Sequence, residues 1–388
     1  MRVAIVVTGS RGDVQPMLAL ARALRGAGKD VVICASPDND EWARSNGCAF
    51  EPIGESLRDN ASLDGWGLRA FSRFIRRQLE IQVRDLPRAL DGSDLVVASG
   101  IVYGVRPVAE HVRIPYRYIS FVPAGFLGTT RDSIRTRLIR GAADAFADLA
   151  YGAALNRARA ALGLPRVRNV MRQLMGPGTI AATDPALTVL RDGAFLRHAQ
   201  TGYPLLPDHR ELSDRLRKFM DQGPAPVYAG FGSMPAGNPR RLGKLLVDAA
   251  ELAGQRLVVS RGWAGLPDPG RGDACIFIDD EAHSRLFPRV AAVIHHGGAG
   301  TVATAARAGV PQIVLPQAAD QFLWRDQVVA LGLGPRAPML RFTSASSLAR
   351  AIVGAVTETA YRRRASEVAG QLMGAPDGAR ATAAAITR

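Results

Sequence analysis

The chain has 388 residues, 47% of them hydrophobic and 22% charged, which is room for two to three domains and too apolar a composition for a mainly disordered chain. No run approaches the roughly 18 apolar residues of a membrane span, and Cys34, Cys48 and Cys275 form no CxxC pair, so neither a disulfide framework nor a zinc site is expected and a cytoplasmic location fits best. The net charge of +14 suits an anionic partner, but aromatics at 6% are not interleaved with the basic residues, which argues against nucleic acid.

The opening run Met1–Val7 is too short for a signal peptide and reads as a first strand over 2–8. Further β-branched runs predict strands over 30–35, 94–99 and 116–121, with weaker ones near 49–53 and 179–183. Between the first two strands Met17, Ala21 and Leu24 recur at helical spacing, predicting a helix over 14–27 that Gly26 and Gly28 terminate. Strand, helix and strand in this order give a parallel sheet with right-handed crossovers. Around 202–225 the pattern lapses into Gly202, Pro204, Pro207, Gly223 and Pro224, and this stretch is taken as a linker after a domain spanning 1–201. The alternation restarts with strands over 227–231, 256–260, 274–278, 291–295 and 312–315, separated by helical patterns at 239–254, 300–308 and 319–331. That defines a second domain over 226–360, followed by an Ala- and Arg-rich helical tail over 361–388 that is a candidate to pack back on the first domain. The expected fold class is α/β, two tandem Rossmann-like doubly wound domains, with ligands at the carboxyl ends of the strands in the cleft between them.

Several segments at those strand ends have the residue types that chemistry needs. Thr8-Gly9-Ser10-Arg11-Gly12-Asp13 follows the first strand. Asp13 is either a helix N-cap or a carboxylate facing ligand, and Arg11 is placed to reach a phosphate. His295-His296-Gly297-Gly298-Ala299-Gly300-Thr301 is the most specific signal. Its glycines bare backbone N–H groups at a helix start, where the dipole favours an anion, and it lacks the lysine of a P-loop. Ser233, in Gly230-Phe231-Gly232-Ser233-Met234, and Arg261 with Trp263 end the first two strands of the second domain and are candidate nucleotide contacts; Trp263 is either a base-stacking or a core residue. Asp320 and Gln321 together accept and donate hydrogen bonds, which suits a polyhydroxylated ligand and equally a solvated helix start. Asp38-Asn39-Asp40 reads as an ordinary turn rather than a metal site, and no metal is assigned.

In their order these motifs resemble the inverting glycosyltransferases of the two-domain GT-B fold that use nucleotide-diphospho-sugars. The resemblance spans most of the chain and is strongest to bacterial antibiotic enzymes, the glycopeptide group included, and to sterol glucosyltransferases. It implies that Asp13 is the general base and that His296, 25 residues before Gln321, contacts the diphosphate together with Gly298, Ala299, Gly300 and Thr301. It further implies that Asp320 and Gln321 hold the sugar hydroxyls, favouring a glucose-like donor on UDP or dTDP, with no other cofactor and no metal. The plant branch has a His base where this chain has Asp13, with an acidic partner where this chain has Ser99-Gly100-Ile101. The plant ribose-binding Glu falls at Thr304 and the stacking Trp at Ile278, so the nucleoside contacts differ. The acceptor is expected to be a small molecule, an aglycone or glycoside such as an antibiotic or other secondary metabolite, bound by segments near 55–85 and 122–150 of the first domain. Arg73, Arg76 and Arg77 there suggest that it carries an anion. A sugar-nucleotide epimerase and a non-catalytic partner protein of the same fold are the alternatives, and the oligomeric state is open.

Overall fold

The structure, a computed structural model, describes residues 1–56, 68–122, 134–190, 199–232, 238–262, 265–270, 273–317 and 320–387. It divides into two compact units, one of residues 1–206 with 376–388 and one of residues 207–375.

The first unit is built on a parallel sheet of seven strands: β1 (Arg2–Thr8), β2 (Asp30–Ala35), β3 (Ala49–Pro52), β4 (Leu95–Gly100), β5 (Tyr116–Ser120), β6 (Ile180–Ala181) and β7 (Ala199–Gln200), in the order β3-β2-β1-β4-β5-β6-β7. The inner strands are buried on both faces, which is why they read as unbroken apolar runs. Ala4, Val6, Val32, Val96 and Ala98 face the helices Leu68–Ala89, Val105–His111, Ile134–Ala161 and Val170–Met175. Helix Arg11–Gly26 begins three residues before the periodicity suggested, because Ser10 and Asp13 form a capping box that starts it. It packs with helix Gly378–Ile386.

The second unit repeats the plan with five strands: β8 (Val227–Gly230), β9 (Leu257–Ser260), β10 (Cys275–Ile278), β11 (Ala292–His295) and β12 (Gln312–Val314), in the order β10-β9-β8-β11-β12. Val227, Ala229, Val259 and Ile294 pack under helices Pro239–Leu252 and Ala345–Thr357. On the opposite face Tyr228, Val258 and Val293 pack against helix Asp214–Asp221 and Ala305 of helix Ala299–Arg307. Each sheet starts from its centre and reverses direction once, between β1 and β4 and between β8 and β11. In open α/β sheets such reversals open crevices at the carboxyl ends of the strands. Among the described residues no helix is long and apolar enough to cross a membrane.

Candidate active site

In the first unit the reversal point is the pair Thr8–Gly100, where β1 and β4 end. Gly9 follows, and a Cβ there would lie 2.1 Å from Asp13 Oδ2, so only glycine lets the carboxylate fold back over the turn. Asp13 Oδ2 accepts from the Ser10 amide at 2.7 Å and from Ser10 Oγ at 3.2 Å. Burial raises the Asp13 pKa, and these Ser10 bonds and the Asp13 backbone only partly offset it. Asp13 is therefore both a helix-start residue and a carboxylate of raised basicity. Arg11 lies over the Trp42 ring at 5.3 Å.

Behind this turn stands Gln82, a residue that the motifs do not reveal. It is wholly buried on helix Leu68–Ala89. Its Nε2 donates to Thr8 Oγ1 at 3.2 Å and to the Ile101 carbonyl at 2.7 Å, and its Oε1 accepts from the Gly104 amide at 2.9 Å. One carboxamide thus ties together the ends of β1 and β4 and the start of the following helix. The only signal in the sequence is a polar residue between Leu79 and Leu86 on an otherwise apolar stripe. Of the arginines expected to attract an anionic acceptor, Arg76 donates to the Ala150 carbonyl at 3.0 Å and Arg77 pairs with Glu55 at 2.5 Å, so both are engaged within the unit.

In the second unit the reversal point pairs Gly230 with His295. The two adjacent histidines have different surroundings. His295 is fully buried at the end of β11; its Nε2 meets Gln312 Oε1 at 3.0 Å and its Nδ1 accepts from the Gly297 amide at 3.1 Å. Burial first, then the neighbouring His296, lowers its pKa to about 3, so it is neutral. His296 is partly exposed, and burial lowers its pKa to about 4. Its ring stands between two glycines: a Cβ at Gly298 would lie 2.7 Å from Nε2, and one at Gly232 3.4 Å from Cε1. Gly297 has φ +98°, and a Cβ there would meet Val314 and the Gln321 carbonyl at 2.8 and 3.0 Å. Gly298 then caps helix Ala299–Arg307, whose first-turn amides have no acceptor within the helix.

The close approach of Gly297 brings this turn against the start of helix Gln321–Ala330, which Asp320 precedes. Gln321 is buried and its Oε1 accepts from the Gln317 amide at 2.8 Å, bracing the loop after β12. Among the described residues His296 Nδ1, Gln317 Nε2 and Trp324 Nε1 are buried polar atoms without a hydrogen-bond partner. Buried donors are rarely left unpaired. Arg261, at the end of β9, donates to the Leu266 carbonyl at 3.0 Å, and its guanidinium lies 5.5 Å from the Phe277 ring centre. Ser233 and Trp263 lie outside the described residues. Asp38 accepts from Ser36 and Ser56 at 2.7 and 2.6 Å in a turn, and no group of three metal-ligating side chains occurs among the described residues.

Residues 3–124 match the model of the glycosyltransferase family 28 N-terminal domain, and residues 278–385 that of the erythromycin biosynthesis protein CIII-like C-terminal domain. The vancomycin aglycone glucosyltransferase of Amycolatopsis orientalis is 39% identical over 100% of this chain and 98% of its own. The sterol 3-beta-glucosyltransferase UGT80B1 of Arabidopsis thaliana is 28% identical over 86% of this chain and 60% of its own. Among solved structures the glycotransferase of kitacinnamycin superposes with a TM-score of 0.78 at 20% identity, covering 100% of this chain and 98% of its own. Two parallel sheets that each reverse at a glycine-rich turn, together with the full-length likeness to the vancomycin aglycone glucosyltransferase, establish that the chain belongs to the antibiotic-type glycosyltransferases of the GT-B fold.

Proposed function

We propose that the protein is an inverting, metal-independent glycosyltransferase that moves a sugar from a UDP- or dTDP-sugar to a hydroxyl of a small antibiotic-type acceptor. The observation that carries this reading is the neutral, partly exposed His296 held between Gly232 and Gly298, beside a helix start with unmet amides. Helix-start amides with an imidazole beside them suit a diphosphate, whose charge the helix terminus stabilises as the leaving group departs. Asp320 and Gln321, against the same turn, would hold the sugar hydroxyls; a glucose-like sugar offers the most groups for them. In the first unit the Asp13 carboxylate would take the proton of the acceptor hydroxyl as its oxygen attacks the anomeric carbon. A raised pKa suits that step, because a general base works best near the operating pH. The C–O bond to the diphosphate breaks as the new one forms, so the anomeric centre inverts. Relatives at this level of identity include a glucosyltransferase of the vancomycin aglycone and a dTDP-epi-vancosaminyltransferase, 36% identical. They support an antibiotic aglycone or glycoside as acceptor and both sugar classes as donor candidates.

The test is thermal stabilisation by UDP, dTDP, UDP-glucose, dTDP-glucose and NADPH at matched concentrations. A ligand at 100 times its dissociation constant adds about 2.7 kcal/mol. Selective stabilisation by one diphosphate nucleotide is expected and identifies the donor base. Stabilisation by NADPH alone would overturn the reading. Activity abolished by EDTA and restored by Mg²⁺ would overturn metal independence.

A further inference from the structure

We infer that the buried pair His295–Gln312 is the positioning element of the diphosphate site: Gln312 fixes which nitrogen of His295 carries the proton, and His295 thereby fixes the turn that presents His296 and the helix start. This rests on the reading of that turn as the diphosphate site. His295 occupies the last position of β11 on the face that packs against helix Ala299–Arg307, in line with the core residue Val293. Gln312 opens β12 on the same face, since Val293 pairs with Gln312 and His295 with Val314. A pair of aliphatic side chains would fill these positions without needing partners. The imidazole offers one thing that they lack, an acceptor at Nδ1 for the Gly297 amide, and that amide belongs to the residue whose φ of +98° sets the turn. Nδ1 accepts only when the proton sits on Nε2, and Gln312 Oε1 lies 3.0 Å from Nε2 to receive it. Gln312 is itself held: its amide donates to the Leu333 carbonyl at 2.9 Å, and its Nε2 reaches the Val302 carbonyl at 3.4 Å. The carboxamide therefore has a fixed orientation, and the tautomer follows from it. With the other tautomer two N–H groups would face each other at Gly297. The turn would then open, and both His296, packed against Gly298, and the amides after it would lose their alignment.

The experiment compares Gln312→Met, of similar length with only a weakly accepting thioether, with Gln312→Glu, which keeps an oxygen acceptor. Binding of UDP and dTDP is measured by calorimetry, and kcat at saturating donor is measured alongside. Gln312→Met should bind the preferred nucleotide about tenfold more weakly, the scale of one lost buried hydrogen bond. Its kcat at saturating donor should fall as well, because the same helix start stabilises the charge on the departing diphosphate. Gln312→Glu should restore affinity to within about threefold. Unchanged affinity in Gln312→Met, or equal losses in both variants, would overturn the inference. Should Gln312→Met fail to fold, nitrogen-15 imidazole spectra of the unaltered protein decide the point, since the chain has only six histidines. His295 protonated at Nε2 supports the inference and protonation at Nδ1 overturns it. A parent protein that binds neither nucleotide overturns the diphosphate reading itself, before any variant is compared.

Discussion

Asp13 accepts two hydrogen bonds from Ser10, yet burial outweighs them and its pKa lies above the ordinary 3.8. A carboxyl group whose folded pKa exceeds its unfolded one costs stability as it ionises, beginning near pH 3.8 and complete above the folded pKa. Asp13→Asn removes that cost and keeps an oxygen for Ser10. At neutral pH the variant should therefore melt at or above the parent temperature while turnover falls about 100-fold or more, the usual range for a lost general base. Parallel melting curves and kcat measurements check this, and unchanged turnover would remove Asp13 from the role. The opposite sign holds for His295. Its pKa of about 3 lies below the unfolded value of 6.5, so the unfolded chain takes up the proton first as pH falls. Its contribution is complete above pH 6.5 and is lost progressively toward pH 3; by pH 5 the loss is about 2 kcal/mol, at 1.36 kcal/mol per unit. Denaturant melts of the parent and of His295→Gln between pH 7 and 5 should show a shallower pH slope in the variant. The motif around His295 and His296 was legible in the sequence, and their states were not. Burial keeps both neutral, and Gln312, 17 residues on, sets which nitrogen of His295 carries the proton.

At the scale of elements, strands buried on both faces leave a clear trace, and the expected runs at 2–8, 30–35 and 291–295 end where β1, β2 and β11 end. Short strands were harder to read: β7 has two residues, too few for a pattern. In the long helix Leu68–Ala89 exposed arginines dominate the composition and mask the apolar stripe. Gln82 leaves no trace in that pattern, since a polar residue on a buried stripe matters only once its partners are known. Gln82→Leu leaves the Gly104 amide and the Ile101 carbonyl without that partner. The expected cost is roughly 2 kcal/mol or more, with a further loss of turnover as the Thr8 end of β1 loosens beside Asp13. Denaturant melts with kcat measurements test it, and a variant of full stability and turnover would show that the clamp is dispensable. Gly298→Ala probes the corresponding element of the second unit. Its Cβ would lie 2.7 Å from His296 Nε2, so the ring must move, and nucleotide affinity should fall about tenfold or more. Calorimetric titration with the preferred nucleotide reads this directly.

At the scale of the molecule, two alternations of strand and helix were enough to read two doubly wound sheets, because parallel order and handedness follow from the alternation itself. How the chain closes each unit depends on small residues, which carry little pattern. Helix Thr359–Met373 belongs to the second unit and helix Gly378–Ile386 to the first, although both are rich in alanine and neither composition announces the division. The return is held by close approach. A Cβ on Gly378 would lie 2.5 Å from the Tyr203 carbonyl oxygen and 2.7 Å from the Gly202 carbonyl carbon, both backbone atoms that cannot step aside. Nearby, Thr382 is wholly buried and its hydroxyl lies 2.7 Å from that of Thr201, and Ala383 and Ile386 on the same helix are buried. Gly378→Ala should therefore overpack this joint at a cost of about 1–3 kcal/mol. For a unit of this size each kcal/mol lowers the melting temperature by about 2–4 °C. The effect should fall on the first unit's transition alone, since every contact involved lies within residues 1–206 and 376–388. Calorimetric scans with and without the preferred nucleotide identify the transitions, because the nucleotide should raise the second unit's and leave the other in place. A fall confined to the transition that nucleotide does not raise is the expected result; an equal fall in both would mean that the return helix stabilises the chain as a whole.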